Sequence, residues 1–309
     1  MKESSSIFLA TDYSEQVSSA ERYAFEFAKE TNSLITVIHV FDLPFNMPSD
    51  ANAYVKETER VRKFEMQKLK LHCEVIMHSL GIKVNEVNWE CLVLEGSIAK
   101  EISKEVESSQ PDLIVIGTHK TKGSISFFEN SHSWEIINKT NIPILSVPKD
   151  YLIKEINKIV FATEFREGEI SGLKYLVDFA RKFNSEVIAL HINNQSSSSE
   201  LEKINFQEFK TDILDYINYD KLSFQVIHAD NIVGGINDYC ITNQVDWLAM
   251  AHSKPALLKR LFQSKKSVTK EMILHCEIPL LSLPDYFPGN KKEIDSTYKS
   301  TLFKDNVND

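Results

Sequence analysis

The chain contains no run of about 18 or more apolar residues, the length a helix needs to cross a bilayer. A membrane span is therefore not expected. The opening MKESSSIFLATDYSE is polar and acidic within a few residues of its short apolar run, unlike a signal peptide, so the expected location is cytoplasmic. Positive charge is also in short supply: 35 Lys and Arg stand against 44 Asp and Glu, a formal charge of −9. A general binder of nucleic acid or of anionic membranes would carry the opposite balance. The four cysteines, Cys73, Cys91, Cys240 and Cys276, are far apart in sequence and form no C-x-x-C. That spacing argues against a zinc knuckle or a disulfide framework and leaves them as small buried hydrophobes.

Catalytic signatures are missing as well. The nine histidines show neither H-x3-H nor H-E-x-x-H spacing, so no zinc centre is expected. There is no G-x-S-x-G elbow, no G-x4-G-K-[S/T] and no S-G-G-x-D-S loop. Hydrolases, Walker ATPases and pyrophosphate-forming ATP enzymes lose support on that account, and the chain is not expected to be an enzyme.

What remains is a 309-residue chain, 42% hydrophobic, long enough for two globular domains. Apolar runs at Ile7–Thr11, Leu34–Val40, Val84–Val93, Asp112–Ile116 and Ile144–Val147 read as strands. Helical patterns separate them: Ala20, Tyr23, Ala24, Phe27 and Ala28 share one face, a long charged helix covers about Asn52–Leu80, and another covers Ser97–Val106. Alternation of this kind predicts parallel βαβ units. Trp89, Trp134 and Trp247 fall inside periodic segments and read as core or interface residues.

The order then begins again. A shift of 152 residues lays Ile7 on Ile159, Thr11 on Thr163, Tyr23 on Tyr175, Asn32 on Asn184, Ser33 on Ser185 and His39 on His191. The shift falls to 134, laying Ile98 on Ile232 and Asp112 on Asp246, so the second half is shorter around its long helix. It ends at 136, where Pro143, Leu145 and Ser146 meet Pro279, Leu281 and Ser282. A head-to-tail duplication is the simplest account. The expected domains are residues 1–149 and 156–286, followed by a polar, mobile tail at 287–309. His39 and His191 recur at matching strand ends, where packing or capping of the sheet is the favoured role over ligand contact.

The best candidate site is the stretch from Pro111 to Ser131, where a buried strand reaches Gly117 and a polar loop runs into the next helical pattern. In open α/β sheets ligands lie outside the carboxyl ends of strands, where helix N-termini favour anions. Asp12 stands at the equivalent end of the first strand.

Ala10-Thr11-Asp12-Tyr13-Ser14, the strand ending His39-Val40, and Gly117-Thr118-His119 followed by Ser131 and Ile142-Pro143 together resemble the universal stress protein family, as two tandem copies. The resemblance implies two tandem doubly wound α/β domains of the adenine nucleotide alpha hydrolase-like type, each a five-stranded parallel sheet flanked by helices. It also implies pairing through last strands, either as an intramolecular pseudo-dimer of the two domains or as a homodimer. ATP-binding members carry G-x2-G-x9-G-[S/T] in this loop, which here falls on Gly117, Lys120, Asn130 and Ser131, with Gly123 between. The family's nucleoside-contacting carboxylate falls on Asp12 and its adenine-contacting backbone on Val40. The implied ligand is an adenine nucleotide, ATP with Mg, in the first domain. Asp12 and Ser14 fit the start of a helix equally well, and the loop fits a structural remnant of the family's shape.

The second half carries Glu164 for Asp12, Ala251 for Gly117 and Ser267 for Ser131, in a basic loop without glycine that contains Lys254, Lys259, Arg260, Lys265 and Lys266. No amide cradle is expected there. Gly234 and Gly235 read as residues that let a helix start close to its strand. The expected function is a regulatory, stress-response module. A protein-interaction scaffold without nucleotide is the alternative, and a slow ATP hydrolase the least favoured reading.

Overall fold

The computed structural model describes residues 5–43, 50–118, 136, 140–166, 168–194, 200–252 and 268–284. Its elements alternate as the apolar periodicity requires. The first half holds β1 (Ser6–Thr11), α1 (Ser18–Thr31), β2 (Leu34–Phe41), α2 (Ala51–Ser79), β3 (Asn88–Glu95), α3 (Ile98–Ser109), β4 (Leu113–Thr118) and β5 (Ile144–Pro148). The second holds β6 (Lys158–Ala162), α4 (Glu169–Phe183), β7 (Glu186–Asn193), α5 (Glu200–Tyr216), β8 (Leu222–His228), α6 (Ile232–Thr242), β9 (Trp247–His252), α7 (Val268–His275) and β10 (Leu280–Pro284).

Two compact units form. The first comprises residues 1–155, 246–248 and 265–282, the second the remainder. In the first, parallel strands lie in the order β3-β2-β1-β4-β5, and Leu280–Ser282 of β10 add antiparallel to β5. β1 and β4 are buried at nearly every position, which is why they read as continuous apolar runs. The face of α1 carrying Ala20, Tyr23, Ala24, Phe27 and Ala28 is buried, and the Trp247 indole donates to the Tyr23 hydroxyl at 2.7 Å. In the second unit the order is β9-β6-β7-β8.

Two expected boundaries differ. Val84–Glu86 is a 3₁₀ turn and β3 starts at Asn88. β4 does not break at Gly117 but continues through Thr118, both paired with β5. Glycine is needed at 117 for space: a Cβ there would lie 2.8 Å from Val17 Cα. Gly235 likewise has no room for a side chain, since a Cβ would lie 2.6 Å from that of Ala229 in the turn before α6 and 3.4 Å from Ile192 of β7, whereas Gly234 has ordinary room.

The two halves match in backbone detail. Left-handed non-glycine residues occur at Tyr13 and Phe165, Asn32 and Asn184, and Gln110 and Gln244, offsets of 152, 152 and 134. Asn32 and Asn184 each end a helix, a position where asparagine tolerates this conformation best among non-glycine residues. The shortening lies mainly in the long helix, 29 residues in α2 against 17 in α5.

Candidate functional site at the carboxyl end of the first sheet

β1 neighbours β2 on one side and β4 on the other, and the chain leaves β1 toward one and returns toward the other. Such a reversal of strand order is where open α/β sheets gape. Pairing of β1 with β4 ends at Leu9–Val115, two residues before β1 ends and three before β4 ends. On the other flank, pairing of β1 with β2 ends at Thr11–His39, so Val40 and Phe41 overhang β1.

Asp12, Val40 and Gly117 therefore gather at one end of one sheet. The Asp12 side chain is half-buried, and one oxygen accepts from the Ser14 amide at 2.9 Å, a local turn that leaves its second oxygen outside that bond. Val40 is buried within β2. Lys120, Gly123, Asn130 and Ser131 lie outside the described residues, as do Trp134, the basic loop of the second half and the tail.

A layer of polar side chains supports this end. Thr11 Oγ1 accepts from the Tyr13 amide at 3.0 Å and donates to the buried carboxylate of Glu21. Glu21 also meets His72 Nε2 at 2.8 Å. His39 Nδ1 donates to the Thr11 carbonyl at 3.0 Å, and its Nε2 lies 3.6 Å from Glu65. The Tyr13 ring packs on both imidazoles, 4.3 Å from His39 and 5.1 Å from His72 between centroids, with Lys68 Nζ 3.9 Å from its own centre. Burial, opposed by the bond to Thr11 and by Glu65, holds the His39 pKa below its ordinary value. Burial, then the charge of Glu65, pushes the Tyr13 phenol up. The Glu65 carboxylate, 3.5 Å from Lys68 Nζ, lies between the Tyr13 phenol and His39, and the Ser14 hydroxyl is buried.

Sequence reading assigned His39 to packing, and it does cap the strand. It missed Thr11, Glu21, Glu65 and His72. The recurrence of Thr11 as Thr163 was a usable signal; Glu21 and His72 gave none, because the second half replaces them.

There, Thr163 Oγ1 accepts from the Phe165 amide at 3.0 Å, and His191 Nδ1 donates to the Thr163 carbonyl at 2.8 Å beneath the Phe165 ring. Leu173 stands at the Glu21 position and Phe206 at the His72 position, and Phe165 packs on Phe206 and Phe209. The threonine hydroxyl donates instead to Glu169 at 2.6 Å. The Glu169 carboxylate also accepts from the Glu164 amide at 3.0 Å and from the Arg166 guanidinium at 2.9 and 3.0 Å. Glu164, the counterpart of Asp12, is 63% exposed and 3.4 Å from Arg166.

Among the described residues no helix is long and apolar enough to cross a membrane, and no cluster of three or more metal-ligating side chains occurs.

Residues 4–148 match the sequence model of the universal stress protein family. A universal stress protein of Methanocaldococcus jannaschii is 28% identical over 145 residues, 46% of this chain and 81% of that protein. Among solved structures, a universal stress protein from Archaeoglobus fulgidus DSM 4304 superposes with a TM-score of 0.66 at 16% identity, covering 92% of this chain and 100% of that one. A functionally unknown protein from Pseudomonas aeruginosa PAO1 superposes with a TM-score of 0.53 at 13% identity, covering 98% of each chain. Over residues 4–148 the chain is similar to the universal stress protein family, and its fold is that of solved members of the family.

Proposed function

We propose that this is a cytoplasmic tandem universal stress protein, a regulatory stress-response module that binds an adenine nucleotide at the carboxyl end of its first sheet. The observation that carries the reading is the early end of β1–β4 pairing, with Asp12 and Gly117 on its two sides and Val40 overhanging β1. Asp12 offers an acceptor to ribose hydroxyls, and the overhanging β2 backbone offers donors and acceptors to a base edge. Lys120, Gly123, Asn130 and Ser131 would meet the phosphates, with Mg carried on the phosphates themselves. The second half would not bind: where the first has Asp12 and Gly117 it carries Glu164, exposed and paired with Arg166, and Ala251. The matched left-handed residues support the duplication, and the pairing of β5 with β10 supports association of the two copies through their last strands.

The test is thermal unfolding with ATP and magnesium. Ligand at a hundredfold its Kd stabilises by about 2.7 kcal/mol, a rise of several degrees. Asp12→Ala and Ser131→Ala should weaken the response at least several-fold, whereas Glu164→Ala and Ser267→Ala should not. No rise at millimolar ATP would remove nucleotide from the reading and leave the protein-interaction scaffold.

A further inference from the structure

The geometry points to a redox site that the strand-end chemistry does not use: Cys73 and Cys91 form a dithiol that a hydroperoxide oxidises to an intramolecular disulfide. The two residues are 18 apart in sequence, and their sulfurs lie 3.9 Å apart. Cys73 projects from α2 and is fully buried; Cys91 lies in β3, the edge strand of the first sheet, and is half-buried. A disulfide requires a separation of about 2.05 Å, so the sulfurs must close by roughly 2 Å. Side-chain rotation supplies much of that, because both sulfurs already point into the same contact.

Accessibility sets the order of events. A peroxide reaches Cys91 first, since Cys73 is covered. The electrostatics agree: the Cys73 S–H and the Lys70 ammonium favour the Cys91 thiolate, against burial and the charges of Glu90 and Glu74. The interaction with Cys91, then burial, keeps Cys73 protonated. The Cys91 thiolate attacks the peroxide, the O–O bond breaks, and Cys91 sulfenic acid and an alcohol, or water from hydrogen peroxide, are formed. Cys73 then gives up its proton and attacks the sulfenic sulfur; hydroxide leaves and takes that proton as water. Two thiols lose two electrons and two protons, and the peroxide is reduced by the same two electrons. The bond ties the long helix to the edge strand.

The experiment uses the full chain, reduced and then exposed to a small excess of hydrogen peroxide. Remaining thiols are alkylated, and the protein is digested without reduction for mass spectrometry. A peptide pair linking Cys73 to Cys91 is expected as the main product, reversed by dithiothreitol, with Cys240 and Cys276 still alkylatable. Unfolding temperature should rise on the order of 5–10 °C on oxidation. In Cys73→Ser, a sulfenic-acid trap should label Cys91 and the temperature rise should vanish; in Cys91→Ser, Cys73 should stay reduced. A wild-type map with both thiols still alkylatable, with Cys91 carried to sulfinic acid, or with Cys91 linked between chains would overturn the assignment, and that map needs no variant to fold.

Discussion

Gly117→Ala tests the site's geometry most directly, because the new methyl group would enter a contact already closed. Its Cβ would lie 2.8 Å from Val17 Cα, 2.9 Å from Cγ1 and 3.0 Å from Cβ. Carbon atoms in ordinary contact stay about 3.5–4.0 Å apart. A rotamer change in Val17 moves only Cγ1. The other two contacts, with Cα and Cβ, are fixed by the backbone, so relief requires shifting the turn before α1, which also carries Asp12 and Tyr13. Overpacking of this kind costs about 1–3 kcal/mol, and losing a glycine from the unfolded chain returns about 0.4–1 kcal/mol. The net loss is about 1–2 kcal/mol, a fall in Tm of roughly 2–8 °C for a unit of this size. Gly172→Ala is the control. That residue lies inside α4, and its nearest neighbour would be 3.7 Å from the new Cβ. There the same chemical change should raise stability by about 0.5–1 kcal/mol. Urea unfolding of both variants gives two opposite signs if the Val17 contact is real; a neutral or stabilising Gly117→Ala refutes it.

Further outcomes follow from the strand-end layers. Since burial lowers the folded His39 pKa from 6.5, its contribution is whole above that value and is lost as pH falls through the lower folded one. Wild-type Tm should therefore drop relative to His39→Asn between about pH 7.5 and 5, and parallel curves would deny the shift. His72→Phe removes the imidazole that meets the buried Glu21 carboxylate and should cost about 1–3 kcal/mol, as should Glu21→Leu alone. The double variant imitates Leu173 and Phe206, so its cost should fall short of the sum by about 1 kcal/mol or more; strict additivity in chemical denaturation would show that the positions are uncoupled. Glu169→Ala removes the acceptor for the Thr163 hydroxyl and the Glu164 amide and should lower stability by about 3 kcal/mol or more, readable as an unfolding midpoint.

Strand and helix order was legible because each element repeats its apolar pattern, once at period two or in continuous runs and once at period 3.6. The start of β3 was not, since Val84, which opens a 3₁₀ turn, and Val87, which follows it, imitate the apolar positions of a strand. Gly117 reads in sequence as a breaker; only the third dimension shows the helix-start residue that needs its missing side chain. The Cys73–Cys91 contact was equally hidden, because a helix running antiparallel to the strand that follows it brings together residues that no spacing rule connects. Glu21 and His72 look like surface residues of amphipathic helices until the turn that buries one of them is known.

That turn explains what the two halves share and where they part. At each strand end the threonine hydroxyl accepts from the amide two residues later and spends its one proton on a carboxylate. The residue two positions on is aromatic and left-handed, a conformation that costs about 1–2 kcal/mol for a side chain with a Cβ. The threonine bond and the stacking of the ring on the histidine offset that cost. The carboxylate arrives from the fourth residue of α1 in one half and the first residue of α4 in the other, so the hydroxyl's proton has a required destination but no required sequence position. What the turn displays is then free to change: Asp12 half-buried beside the gap between β1 and β4, Glu164 exposed toward Arg166. Loss of the acidic acceptor from the threonine should therefore disturb Asp12 without touching it, which separates the turn's structural role from whatever Asp12 binds.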